Sequence, residues 1–303
     1  MKAVQINDYG GIEVLEINQN APTPTPPGNQ VLVEVKAASI NPIDYKVRNG
    51  FLKDAVPLKF PSTMGGDFAG VSDTGEEVYG SALILNGSSG GFAQFAAVNK
   101  ENIAPKPKNV DFDEASALPL VGSAAIQALE EHIKLQSGQK ILIHGGAGGI
   151  GHIAIQLAKS LGAYVATTVS TNDVDYAKSL GADEVIDYKT EKFEEKLKDM
   201  DVVYDTVGGE TLDKSFQVLK KGGVIVSMLG EPNPELAKKH EVTAIGQNTV
   251  TNTAHLTRLA ELVDSGKIRV NIDKVFPLEK AREAFKYQEE GHPKGKVVLK
   301  VVQ

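Results

Sequence analysis

Residues 144 to 151 read HGGAGGIG, and the chain continues as HIAIQLAKSLGA to residue 163. Such a stretch is either a cradle for phosphates or only a tight turn between a strand and a helix. Gly146, Gly148 and Gly151 satisfy G-x-G-x-x-G, and the required context is present: KILIHG (140 to 145) reads as a strand, and a helix follows. In that helix Ile150, Ile153, Ala154, Leu157, Ala158 and Leu161 recur at helical spacing and form one apolar face; Gly162 stops it. The first glycine permits the turn, the second lets backbone approach a pyrophosphate, and the third lets helix pack on strand. The helix N-terminus adds free N–H groups and partial positive charge. The whole loop, Gly146, Ala147, Gly148, Gly149, Ile150 and Gly151, is therefore expected to hold a dinucleotide.

The surroundings support the cradle. YVATTVS (164 to 170), EVIDY (184 to 188), DVVYDTVG (201 to 208) and GVIVSMLG (223 to 230) are short apolar runs suited to buried parallel strands. Helical stretches such as DVDYAKSLGA and GETLDKSFQVLKKGG lie between them, giving the rhythm of a doubly wound α/β sheet. The first 120 residues read differently. VLVEVKAASI (31 to 40) is a strand preceded by the proline-rich APTPTPPGN, and GVSDTGEEVYG and GGFAQFAAV are short segments broken by glycines at hairpin spacing. At the other end, TRLAELVDSGK reads as an amphipathic helix, and VFPLEKAREAFKYQEEGHPKGKVVLKVV combines a helix with a terminal strand that must pair somewhere. A return to the β-rich first part would make that domain discontinuous.

Bulk properties narrow the function. At 303 residues two domains are expected, and 41% hydrophobic with 23% charged residues, without a long apolar run, describes a soluble protein that crosses no membrane. MKAVQINDYGG shows no signal-peptide pattern, so a cytoplasmic location is expected. A net charge of -7 without a basic block argues against nucleic acid as a partner. The chain has no cysteine, which removes disulfides, thiolate nucleophiles and cysteine-bound zinc. Its histidines, at 132, 144, 152, 240, 255 and 292, show no HxxxH spacing, so no metal site is expected.

The second strand of the α/β region speaks to the choice of dinucleotide. An NAD site usually ends this strand on an acid that bonds the ribose 2'-hydroxyl. Here it ends Thr167, Thr168, Val169, Ser170, Thr171, with no carboxylate before Asp173. Hydroxyls at Ser170 and Thr171 suit a 2'-phosphate, which favours NADPH; NADH stays open, because Asn172 and Asp173 stand where a cation would help.

In order along the chain, AASINPIDYKVRNG (37 to 50), MGGDFAG (64 to 70), GGFAQFAAV (90 to 98), ALPLVGSAAIQAL (117 to 129), HGGAGGIG, SLGADEVIDY (179 to 188), DTVGG (205 to 209), VFPLEKAREA (275 to 284) and GKVVL (295 to 299) resemble the zinc-independent quinone oxidoreductase branch of the medium-chain dehydrogenase/reductase superfamily. The resemblance spans essentially the whole chain. It implies a Rossmann dinucleotide-binding domain (121–264) inserted into a β-rich GroES-like catalytic domain (1–120 plus 265–303), with the active site in the cleft between them. It further implies hydride transfer from NADPH to quinones or α,β-unsaturated carbonyls, in a homodimer or larger assembly. By the same resemblance Tyr188 lies near the adenosine ribose phosphate, and Val207, Gly208, Leu229 and Gly230 form strand-end loops around the cofactor. Zinc-dependent cousins carry a cysteine near the start of the NPID stretch and Gly-His-Glu where this chain has Gly65, Gly66 and Asp67; Asn41 and Gly66 leave neither zinc site its usual ligands. Relatives often have Thr and Trp where Ala124 and Ile126 stand, so a wider or more apolar pocket is expected.

Without a Lewis acid, an acceptor that is already electron-poor is the easier substrate. Donors for the developing oxyanion are sought in the loop after the first long strand, at Asn41, Tyr45 and Lys46. Asn41 before Pro42 is also ordinary turn chemistry, a lone lysine is often only surface, and water can supply the proton. Two other functions stay open: a selective enoyl or alkenal reductase, and a weakly catalytic NADPH-binding redox sensor or structural protein.

Overall fold

The structure, a computed structural model, describes residues 1–301. The chain opens with strands β1 (Ala3–Ile6), β2 (Glu16–Asn18) and β3 (Gln30–Ile40), then helix α1 (Pro42–Arg48). Strands β4 (Ser62–Thr63), β5 (Asp67–Ser72), β6 (Glu77–Ser81), β7 (Phe95–Asn99) and β8 (Ile103–Pro105) follow, with helices α2 (Phe112–Ser116) and α3 (Pro119–Ile126) behind them. Alternation then sets in: β9 (Lys140–His144), α4 (Gly151–Ser160), β10 (Tyr164–Val169), α5 (Val174–Ser179), β11 (Glu184–Asp187), α6 (Phe193–Lys196), β12 (Met200–Asp205), α7 (Gly209–Ser215), β13 (Leu219–Ser227), α8 (Pro234–His240) and β14 (Thr243–Gly246). The chain closes with α9 (Thr253–Asp264), β15 (Ile272–Pro277), α10 (Ala281–Glu290) and β16 (Lys296–Lys300).

These elements form two compact units. The first takes residues 1–123, 251–265 and the chain from Val270 onward. Its main sheet runs β15-β16-β3-β5-β6-β8, with β7 also on β3, and a smaller sheet runs β2-β1-β4. The terminal strand β16 pairs antiparallel with β3, Val297 opposite Ile40 and Lys300 opposite Ala37, so the end of the chain closes the unit that its beginning starts. Val33, Val35, Phe68, Phe92, Phe285 and Leu299 are among the residues of its core.

The second unit takes residues 124–250 and 266–269. Its six strands are all parallel, in the order β11-β10-β9-β12-β13-β14. Counting from β9, that is 3-2-1-4-5-6, the order of a Rossmann sheet, whose ligands bind beyond the carboxyl ends of the strands where the order reverses, here between β9 and β12. The apolar face foreseen on α4 is real: Ile153, Ala154, Leu157 and Ala158 are wholly buried.

Three features differ from the sequence reading. The helix expected over GETLDKSFQVLKKGG ends at Ser215, and Lys220 and Lys221 belong to β13. The pairing of β12 with β13 shifts register between Met200 and Val202, and Gly222, with φ +74°, lets the bulged strand make that turn. Strand β14 was not foreseen, since TAIG carries little apolar periodicity; its pairing to β13 defines it. Helix α9, which the sequence reading puts with the dinucleotide-binding part, lies in the first unit: Thr253 Oγ1 donates to the carbonyls of Glu101 and Ile103, and the buried Tyr79 hydroxyl donates to that of Leu256.

One ion pair fixes α1 in the first unit. Arg48 is 1% exposed, makes a two-pronged bond to Glu289 of α10 (2.7 and 3.1 Å), donates to the Gly10 carbonyl, and lies over the Phe285 ring. Arg48→Ala leaves Glu289 without its cation and opens a hole beside Phe285. We expect a loss of about 3 kcal/mol, read from the urea midpoint, because truncating a fully buried side chain leaves a cavity and removes its hydrogen bonds to Gly10 and Glu289.

Candidate functional site

The glycine loop sits at the carboxyl end of β9. Gly145 has φ +71° and makes the turn out of the strand. A side chain at Gly146 would meet Thr167 Oγ1 at 2.1 Å, and one at Gly151 would meet the Gly145 carbonyl oxygen at 2.1 Å, so both are closed by the protein's own packing. Gly148 differs: its missing Cβ finds only the Gly145 oxygen, at 3.4 Å. The open side of the loop is thus at Gly148, where a pyrophosphate would approach. Ala147, Gly149 and Ile150 are half-buried beside it, and no side chain caps the N-terminus of α4.

Buried polar side chains hold this loop from behind. His144 is wholly buried, with Nδ1 2.9 Å from Thr168 Oγ1 and Nε2 2.9 Å from Ser215 Oγ; burial drives its pKa down to about 3, so the ring is neutral. Thr168 Oγ1 also receives the Gly145 N–H, and the Thr168 carbonyl that of Gly146. Thr206 Oγ1 donates to the His144 carbonyl. Beyond β12, the Asp205 carboxylate accepts the N–H groups of Val207 and Gly208 and the Ser227 hydroxyl, which in turn accepts from Leu229 N–H. Val207 and Leu229 are about half exposed despite being apolar, and Tyr188, past β11, is equally so. Val207, Gly208, Leu229, Gly230 and Tyr188 thus line up with the glycine loop along one edge of one parallel sheet. Nothing in the residue pattern singles out His144, Asp205 or Ser227 directly; a polar residue at the last position of an apolar strand is the available signal.

The strand-end hydroxyls are not the open set that the sequence suggested. Thr167 is buried and donates to the Ile143 carbonyl, and Thr168 is engaged by His144. Ser170 donates to Asp173, itself buried, and Thr171 donates to Asp187 Oδ2 at 2.6 Å. An acid therefore stands at this edge, and it comes from the neighbouring strand.

The sequence-predicted catalytic residues fall together at the start of α1, in the first unit, but do different work. Asn41 is 1% exposed; its Nδ2 donates to Asp67 Oδ2 at 2.8 Å and its Oδ1 accepts from Lys296 Nζ. Both ends of its amide are therefore engaged, and its own N–H goes to Asp44. Lys296 also donates to the Ile40 carbonyl, and Asp67 also accepts Leu120 N–H at the start of α3. Tyr45 and Lys46 are half-buried on α1. Burial, with the Glu289 charge behind it, holds the Tyr45 phenol above its ordinary pKa, so it keeps its proton. Burial raises Asp44 to about 7 and Asp67 to about 6 and lowers Lys296 to about 8. Among the described residues no group of three or more His, Cys, Asp or Glu is placed to hold a metal ion, and no helix is long and apolar enough to cross a membrane.

Residues 27–108 match the family model of the alcohol dehydrogenase GroES-like domain, and residues 180–299 that of the zinc-binding dehydrogenases. Among curated relatives, 2-methylene-furan-3-one reductase of Solanum lycopersicum is 39% identical and the chloroplastic NADPH-dependent alkenal/one oxidoreductase of Arabidopsis thaliana 37%, each alignment covering 99% of this chain and 79% of the relative. Among solved structures, the quinone oxidoreductase from Coxiella burnetii superposes with a TM-score of 0.92 at 36% identity, over 100% of this chain and 99% of that one. The quinone oxidoreductase of Escherichia coli complexed with NADPH gives 0.87 at 27% identity, over 99% of this chain and 100% of that one.

The glycines make a paired prediction. Gly148→Ala has room for its methyl group and should fold with unchanged stability yet bind dinucleotide about tenfold more weakly, whereas Gly151→Ala must displace backbone and should lower the unfolding midpoint itself. Calorimetric titration beside urea unfolding checks both. The buried carboxylates make a second. Their native pKa values lie above the unfolded 3.8, so between about pH 4 and pH 7 the native state holds more protons and stability falls as pH rises. Asp44→Asn should flatten that slope in urea unfolding measured across the same window.

Proposed function

The chain belongs to the quinone oxidoreductase branch of the medium-chain dehydrogenase/reductase superfamily, and on that premise we propose that it reduces quinones or α,β-unsaturated carbonyls with NADPH, without zinc. The observation that carries the reading is the edge of the six-stranded sheet, where an open glycine loop and half-exposed Val207 and Leu229 stand on strand ends anchored by buried polar groups. Apolar side chains left in water at such a position suit a planar, weakly polar ring, and the loop at Gly148 suits its phosphates. NADPH-dependent alkenal/one oxidoreductase and NADPH-complexed quinone oxidoreductase are named among the relatives, which supports the same cofactor and acceptors here.

Zinc does not fit the residues present. The chain has no cysteine, Gly66 brings no ligand, and Asn41 and Asp67 are bonded to each other and to Lys296 or Leu120. NADPH when bound supplies the hydride, and the acceptor must then be reactive without a Lewis acid, as quinones and enones are. The chain's own part is to orient both molecules and to meet the charge that builds on the acceptor oxygen. For that we assign Tyr45 as the proton-bearing donor and Lys46 as a positive charge on the same helix, with Asn41 anchoring the helix start rather than touching the substrate.

The test is NADPH oxidation across a panel with 1,2-naphthoquinone and 2-alkenals as acceptors. At least one class should accelerate it strongly. Tyr45→Phe should lower kcat about tenfold or more while leaving NADPH affinity alone. If saturating NADPH binds and no quinone or enone speeds its oxidation, the reductase reading is lost.

A further inference from the structure

Residues 187 to 189 form a polar device at the carboxyl end of β11. In the parallel pairing Asp187 stands opposite Val169, and Tyr188 N–H donates to the Val169 carbonyl, so this segment lies directly beside the end of β10. The Asp187 carboxylate is held on two sides: Oδ2 accepts from Thr171 Oγ1 at 2.6 Å and Oδ1 from Lys189 N–H at 2.9 Å. Those hydrogen bonds, the Thr171 hydroxyl first, keep its pKa below the ordinary carboxylate range. The next residue, Tyr188, is half exposed, and the Lys189 ammonium stands 5.1 Å from the centre of its ring.

In a Rossmann sheet the ribose 2' position is met at the end of the second strand, here β10. That strand ends without an acid, and Asp173 in the turn after it is buried. The adjacent strand ends on an acid, Asp187, and the turn after it carries a cation, Lys189, two residues on. We propose that Asp187 and Lys189, joined through Thr171 and Tyr188, decide how this chain chooses between a 2'-phosphate and a 2'-hydroxyl. The carboxylate accepts a hydrogen bond from a ribose hydroxyl and repels a phosphate; the ammonium attracts the phosphate and gains little from the hydroxyl. With both charges present the preference for NADPH is shallow, and it is set on β11. This proposal rests on the dinucleotide reading of the site and names the residues that select within it.

The test needs no turnover. Binding of 2',5'-ADP and of 5'-ADP is measured by calorimetry on the full chain, and the ratio of their affinities is the readout. Asp187→Asn can keep the Thr171 contact through its one amide oxygen, gives up the bond from Lys189 N–H, and should raise the ratio in favour of 2',5'-ADP by about fivefold or more, since the negative charge is removed. Lys189→Met should lower the ratio by a similar factor, and the wild-type ratio should fall as salt is raised. If 5'-ADP binds and neither substitution moves the ratio by as much as twofold, the selection lies elsewhere and the proposal is overturned. If the folded wild-type chain binds neither nucleotide, the dinucleotide site itself is refuted and the proposal falls with it.

Discussion

Lys296 is the group around which the first unit is arranged. An ammonium 3% exposed is costly unless acceptors and opposite charge surround it, and here the Ile40 carbonyl and Asn41 Oδ1 take two of its three protons, with Asp67 and Asp44 supplying the charge nearby. Through Asn41 and Asp67 the same cluster reaches the start of α1, the start of β5 and the first turn of α3. Three segments distant in sequence are thus gathered about one residue from the last strand. The β-rich unit is discontinuous for a physical reason: without β16 there is no cation, and two buried carboxylates would face each other alone.

The second unit uses the same kind of anchor with hydrogen bonds in place of an ion pair. His144 ties β9 to β10 and α7, and Asp205 ties the loop after β12 to β13. Each sits at the last residue of its strand, where the apolar sheet ends and the backbone must turn. The loops that would contact a cofactor are then fixed before anything binds, which lowers the ordering cost of binding.

Much of this was legible in the residues. Short apolar runs at regular spacing pointed to parallel strands, the spacing of Ile153, Ala154, Leu157 and Ala158 to the buried face of α4, and a terminal GKVVL had to pair somewhere, which it does on β3 of the first sheet. What stayed hidden depends on tertiary neighbours. KK at 220 and 221 reads as a helix end, yet it lies in β13, since Gly222 lets that strand bulge against β12. Asn41 reads as a turn residue or an oxyanion donor. Only the arrival of Lys296 from 255 residues away shows that its amide is already engaged.

The hydroxyls of β10 teach the same lesson for cofactor choice. In a strand buried on both faces, neighbouring side chains are all enclosed, so Thr167 and Thr168 look inward to Ile143 and His144 even though successive residues point to opposite sides. Hydroxyls at the end of a strand therefore carry no preference by themselves. What they express depends on which groups they bond, and for Thr171 that group is a carboxylate 16 residues onward, on a different strand. The groups presented at the end of β10 are thus decided as much by the strand that the sheet places next to it as by β10 itself.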